Sequence, residues 1–204
     1  MKRYIDFVEG IGTWTGKAFA WCILIMTLAI TYEVFVSKVF RDPTEWAFDI
    51  SYIMYGTLFM MAGAYTLSRD GHVRGDVVYR LWKPKTQAAV ELVLYFLFFF
   101  PGILALMFAG LEYALESWGY TEKSIFSPLG VPIYPFKTII PVAGTLLFFQ
   151  GTAEVLRCVI CLRTGAWPPR RRDIEEMESI LRQQREDENQ GAREHGGPVE
   201  EPKP

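Results

Sequence analysis

Histidine is nearly absent from this chain, with two in 204 residues. His72 and His195 are far apart, and His195 stands in a charged C-terminal stretch, so no pair of helix histidines is available to hold a haem. Cysteine is scarce too: Cys22, Cys158 and Cys161. The last two form a C-x-x-C, but inside an apolar run, without the loop setting or further ligands of a zinc or redox pair, so all three read as ordinary membrane-helix cysteines. No P-loop, G-x-S-x-G or H-E-x-x-H occurs, and no catalytic residue, metal ligand or cofactor site is expected. No basic patch with interleaved aromatics points to nucleic acid. Asp6 and Glu9 follow Lys2 and Arg3, and no small-residue cleavage site closes a short apolar run, so a cleavable signal is not expected.

Charge is missing from long stretches. Residues 50–68 carry none, and a helix of ~20 residues at 1.5 Å rise crosses a bilayer. The mean hydropathy of +0.14 averages two regimes: an aromatic and aliphatic part to about residue 167, and a charged, Gln-, Gly- and Pro-rich end. The fold class expected is an all-α membrane protein of four transmembrane helices with short amphipathic interfacial helices. Spans are placed at about 18–36, 46–67, 89–111 and 138–162. The domain reading is an interfacial amphipathic helix at 1–17, a transmembrane domain at 18–162, and a partly disordered cytoplasmic tail at 163–204.

Details between the spans follow from local chemistry. The stripe Tyr4, Phe7, Val8, Ile11 and Trp14 suits an interfacial helix, a helix packing on a partner, or a short extension of the first span. Glu33 reads as an acid reaching the headgroups or as a buried functional acid. In the SKVFRDPTE loop, Thr44 is the expected cap of the second helix, with Asp42 the alternative. Gly56, Ala62, Gly63 and Ala64 leave room for close helix contact. Pro101 and Gly102 predict a kink or a packing notch in the third span. Glu112 and Glu116 share a helix face, where a solvated end competes with a proton or metal site. Loop 117–137 is rich in proline and aromatics, so structured turns at the membrane interface are expected. Pro141 is placed in the first turn of the fourth span, and Glu154 and Arg157 are spaced to pair or snorkel.

Basic residues divide unevenly between the two membrane faces. Lys2, Arg3, Lys17, the five of segment 69–85, Arg157, Arg163 and 170–172 fall on one; Lys38, Arg41, Lys123 and Lys137 fall on the other. Positive charge stays inside, so both termini are expected in the cytoplasm. No span carries a mid-membrane acid or base, and no repeat with broken helices marks a transport site. These residues describe a helical protein that packs and scaffolds.

In order along the chain, Glu45, Trp46 and Asp49 open the second helix, Gly63 and Ala64 lie near its end, and Arg69, His72, Val73, Arg74 and Asp76 follow. The outer loop carries Glu122, Lys123 and Ser124, then Pro135, Phe136, Lys137 and Pro141, then Gln150 and Gly151. With the four-helix layout, this order resembles, over residues 5–165, the small membrane subunit of TRAP (tripartite ATP-independent periplasmic) transporters, the DctQ type. Asp49 stands where many members have Glu, and no Trp follows in the middle of the second span.

The resemblance implies a non-enzymatic subunit of a sodium-driven transporter for organic acids in the bacterial inner membrane. It braces the large membrane subunit and helps dock a periplasmic substrate-binding protein. Partner-subunit contact is then expected at Trp46, Asp49, Gly63, Arg69, His72, Arg74 and Asp76. Docking of the binding protein is expected at Lys38, Arg41, Glu116, Glu122, Lys123 and Lys137. The rival readings are a membrane anchor of an oxidoreductase and a free-standing four-helix scaffold.

Overall fold

A computed structural model describes residues 1–69, 82–168, 181 and 183–185. Two units separate: Met1–Pro168, and Pro169–Pro204, whose described residues are all helical. The first unit holds α1 (Lys2–Phe35), α2 (Ala47–Ser68), α3 (Pro84–Leu94), α4 (Phe100–Gly119) and α5 (Tyr134–Thr164). A π-helical turn, Val36–Phe40, extends α1, and a second, Tyr95–Phe99, joins α3 to α4. Among the described residues, four helical stretches are long and apolar enough to cross a membrane: Lys2–Phe40, Ala47–Ser68, Pro84–Gly119 and Tyr134–Thr164. The fold is all-α, and among the described residues no strand forms beyond an isolated bridge between Lys123 and Pro132.

Proline and glycine set several boundaries. Pro84 opens α3 in its first turn, where its fixed φ and missing N–H cost nothing, so the third span begins ahead of residue 89. Pro101 would clash with the carbonyl of Leu97 in a regular helix, and the π-helical turn over Tyr95–Phe99 lies there. Nothing packs within 4 Å of the Cβ position of Gly102, so the expected notch is not a helix contact among the described residues. Pro141 lies inside α5 rather than in its first turn, because that helix starts at Tyr134. The Pro141 carbonyl accepts from the Thr145 hydroxyl at 2.7 Å. Gly165, with φ 79°, ends α5 and donates its N–H to the Cys161 carbonyl at 2.7 Å.

Helix α5 is the hub, packing against α1, α2, α3 and α4, while α1 also lies along α2. The contacts use small residues. A Cβ on Gly56 would come 2.5 Å from Phe136, and one on Gly110 would come 2.7 Å from Ile140, so both helix pairs approach too closely for a side chain. The buried set is mostly small residues and polar or charged side chains, with a few larger ones such as Ile5, Val8, Met61 and Leu67, whereas Phe7, Trp14, Trp21, Leu28, Phe59 and Phe108 are exposed. This distribution suits lipid, where packing and satisfied polar groups hold helices together and large apolar side chains face outward. The same holds along the start of α1, where Ile5, Val8, Glu9, Gly12 and Thr15 are buried while Phe7 and Trp14 are exposed. Helix α1 runs without a break from Lys2, through residue 17, to Phe35.

Candidate functional site

At the end of the bundle that holds the α1–α2 and α4–α5 connections, three carboxylates each gather donors from a neighbouring segment. Glu33, near the end of α1, accepts from the Ser37 hydroxyl at 2.7 Å and from the Thr44 N–H at 2.9 Å. The Thr44 hydroxyl also donates to it. Thr44 therefore ties the connection to α1 instead of capping α2, which starts at Ala47 with Trp46 as its unassisted cap residue; Asp42 does not cap it either. Trp46 stacks on Tyr32, with ring centroids 5.9 Å apart.

Asp49, in the first turn of α2, is fully buried, and its carboxylate is shared by two hydroxyls. Ser124 Oγ donates to Oδ1 at 2.6 Å, and Ser127 Oγ donates to Oδ2. A carboxylate this deep needs such donors, because burying it unpaired costs several kcal/mol. The helix N-terminus adds favourable potential. Phe126 packs edge-on against Phe48 and Tyr52 beside it.

Glu122 accepts from the Ser117 hydroxyl at 2.6 Å and from Lys137 Nζ. The Lys137 ammonium, then the Ser117 hydroxyl, favour the ionised form and hold the Glu122 carboxyl below the usual carboxylate range. Lys137 is itself buried, with Nζ 3.8 Å from the centroid of the Tyr113 ring. The Ser124 N–H donates to the Val131 carbonyl at 2.8 Å and the Ile133 N–H to the Glu122 carbonyl at 3.0 Å, so the loop folds back on itself. Trp118 Nε1 donates to the Thr138 hydroxyl at 2.9 Å and closes its base.

The six charges expected on the docking surface therefore divide. Lys38, Arg41, Glu116 and Lys123 are exposed, whereas Glu122 and Lys137 are spent on each other. The loop tip presents apolar surface as well, with Ile125 90% and Phe126 67% exposed. Glu33, Ser117 and Ser127 were not marked as site residues from sequence. Their signal lay in hydroxyls placed near acids, which only the fold brings together.

The opposite end is also polar inside. Arg157 donates to Glu9, and its Nε lies 3.7 Å from Glu154, with all three side chains largely buried. The Cys158 thiol donates to Glu91 at 3.6 Å, and the Cys161 thiol to the Pro84 carbonyl at 3.5 Å. Arg69 caps α2 and lies over the Tyr65 ring at 5.5 Å. Gly63 faces Leu147 of α5. His72, Arg74 and Asp76 lie outside the described residues.

No curated protein matches this chain. A family model does, that of the DctQ component of tripartite ATP-independent periplasmic transporters, over residues 26–161. That match takes in about two thirds of the chain, including α2, α3, α4, the loop with its clamps, and nearly all of α5. With four helices apolar enough to cross the bilayer, the chain belongs to the DctQ family: it is the small permease component of a tripartite transporter, a multi-pass inner-membrane protein and not an enzyme.

Proposed function

We propose that this subunit braces the large membrane subunit of a sodium-driven TRAP transporter for organic acids and helps dock the periplasmic substrate-binding protein. Both termini face the cytoplasm, on the basic-residue asymmetry. The loop end then faces outward. The observation that carries the docking role is the construction of that end: Asp49 and the Glu122–Lys137 pair hold loop 120–133 in place, leaving Lys123, Ile125 and Phe126 displayed. A surface ordered before contact loses less entropy on docking, and Lys38, Arg41, Glu116 and Lys123 supply charge for steering.

On the membrane side, Trp46, Arg69, His72, Arg74 and Asp76 meet the large subunit. Asp49 and Gly63 serve that contact by fixing how α2 sits against the loop and α5. Because Glu122 is a clamp, reversing it mixes folding with docking; Lys38→Glu, Arg41→Glu and Lys123→Glu together are the cleaner test. Uptake should fall at limiting binding protein, with recovery of the membrane complex unchanged and the gap to wild type narrowing at high salt, where the reversed charges are screened. Normal uptake under those conditions removes this surface from the mechanism.

A further inference from the structure

Gln150 is 1% exposed, yet neither of its amide atoms has a hydrogen-bond partner among the described residues. It stands in the wall of a cavity of about 140 Å³ between α1, α2 and α5. The wall is otherwise mostly apolar, with Phe7, Ile11, Gly12, Ala64 and Phe149 in it; Tyr4 also lines it, with its hydroxyl 2.7 Å from that of Thr152. A Cβ on Gly12 would come 3.8 Å from Gln150 Oε1 and 3.6 Å from the Ala64 carbonyl, so the absence of a side chain at Gly12 opens the space onto the amide. Phe7 and Phe149, 66% and 47% exposed, form the rim.

An unpaired buried polar group destabilises the fold that holds it, so the occupant is one that pairs both amide atoms. Water is ill suited, since a buried water needs two to four polar partners, the lining is mostly apolar, and the Tyr4 hydroxyl is already paired with Thr152. A lipid acyl chain fills the volume and pairs neither atom. An ester carbonyl satisfies Nε2 alone, and an ammonium Oε1 alone. A carboxamide offers a donor and an acceptor side by side and satisfies both. Cavities of about 150 Å³ hold benzene, so a side chain of this size has room.

A second copy of this chain does not supply that group, because its own Gln150 is equally buried and cannot reach across. Within the four spans the amide side chains are Gln87 and Gln150. Gln87 is committed, donating to the Trp82 carbonyl at 3.1 Å and accepting from Trp167 Nε1 at 2.9 Å. We propose that a transmembrane helix of the large subunit inserts an Asn or Gln side chain past Phe7 and Phe149 to pair with Gln150. This rests on the reading of the chain as a brace for that subunit, and it names the face and the chemistry of the contact.

Two measurements on the assembled membrane complex test it. A photo-crosslinking residue in place of Phe7 should form an adduct with the large subunit; adducts with lipid alone, or none, overturn the proposal. Gln150→Leu should leave the isolated subunit as thermally stable as before or more so, while recovery of the complex falls several-fold. Equal destabilisation of the isolated subunit and the complex would show that the amide is satisfied within the chain, and would also overturn it. Failure of the wild-type chain to co-isolate with a large subunit removes both readings; co-isolation without the Phe7 adduct removes this one alone.

Discussion

Asp49 and Ser124 are 75 positions apart, yet the serine hydroxyl donates to the aspartate at 2.6 Å with both side chains buried. One hydrogen bond thus fastens the long α4–α5 connection to the first turn of α2. Ser127, on the other carboxylate oxygen, makes the attachment two-pronged.

Removing that acceptor should loosen the loop without unfolding the bundle. Hydrogen bonds to a charged group contribute about 1.5–3 kcal/mol each, so Asp49→Ala should be clearly destabilising in a thermal melt of the purified subunit. Asp49→Asn keeps one acceptor oxygen and should recover part of the loss. Limited proteolysis should cut Asp49→Ala within 121–133 faster than wild type; an unchanged cutting rate would mean that the loop is held by other contacts.

The Glu122–Lys137 pair predicts a pH dependence of definite sign. The folded-state pKa of Glu122 is lowered, so its contribution is fully present above the ordinary carboxylate value of about 4.3 and is lost as pH falls through the lowered value. The difference in melting temperature between wild type and Glu122→Gln should stay level from neutral pH down to that ordinary value, then shrink. A difference that grows on acidification contradicts the pairing.

At the other end, Arg157 joins α5 to Glu9 of α1. Breaking a buried ion pair from one side costs about 3–5 kcal/mol. Arg157→Leu should therefore destabilise the subunit strongly, and Glu9→Leu added to it should restore part of the stability. Additive losses in denaturation of the two single variants and the double variant would show that the two residues act independently.

Close helix approach makes a further test. Gly110→Val on α4 would press on Ile140, and overpacking costs about 1–3 kcal/mol. Ile140→Ala in the same chain should relieve it. A Gly110→Val melt equal to wild type would contradict the tight α4–α5 contact.

The spans were legible because a bilayer demands long uncharged helices, and the second span agrees with α2 to within a residue. Glu154 and Arg157 were legible as neighbours on a helix; Glu9, their partner from the far end of the chain, was not, since local spacing says nothing about a contact 148 positions away. The same limit hid Ser124 and Ser127 from Asp49, and Thr44 from Glu33. Lys137 was read as a surface charge because it follows a polar loop, but the start of α5 at Tyr134 and the Tyr113 ring bury it. The α1 stripe left the role of residues 1–17 open, because a lipid-facing stripe looks the same on an interfacial helix and on an extended span. Helix α1 is continuous from Lys2 to Phe35, with Phe7 and Trp14 exposed and Gly12, Thr15 and the paired Glu9 buried, as packing in lipid favours.

Binding-protein-dependent uptake in proteoliposomes tests the brace and the docking surface together. Vesicles with the large subunit alone should take up little substrate, and vesicles with both membrane subunits should respond to added binding protein and a sodium gradient. Full binding-protein-dependent uptake by the large subunit without this chain would contradict the account.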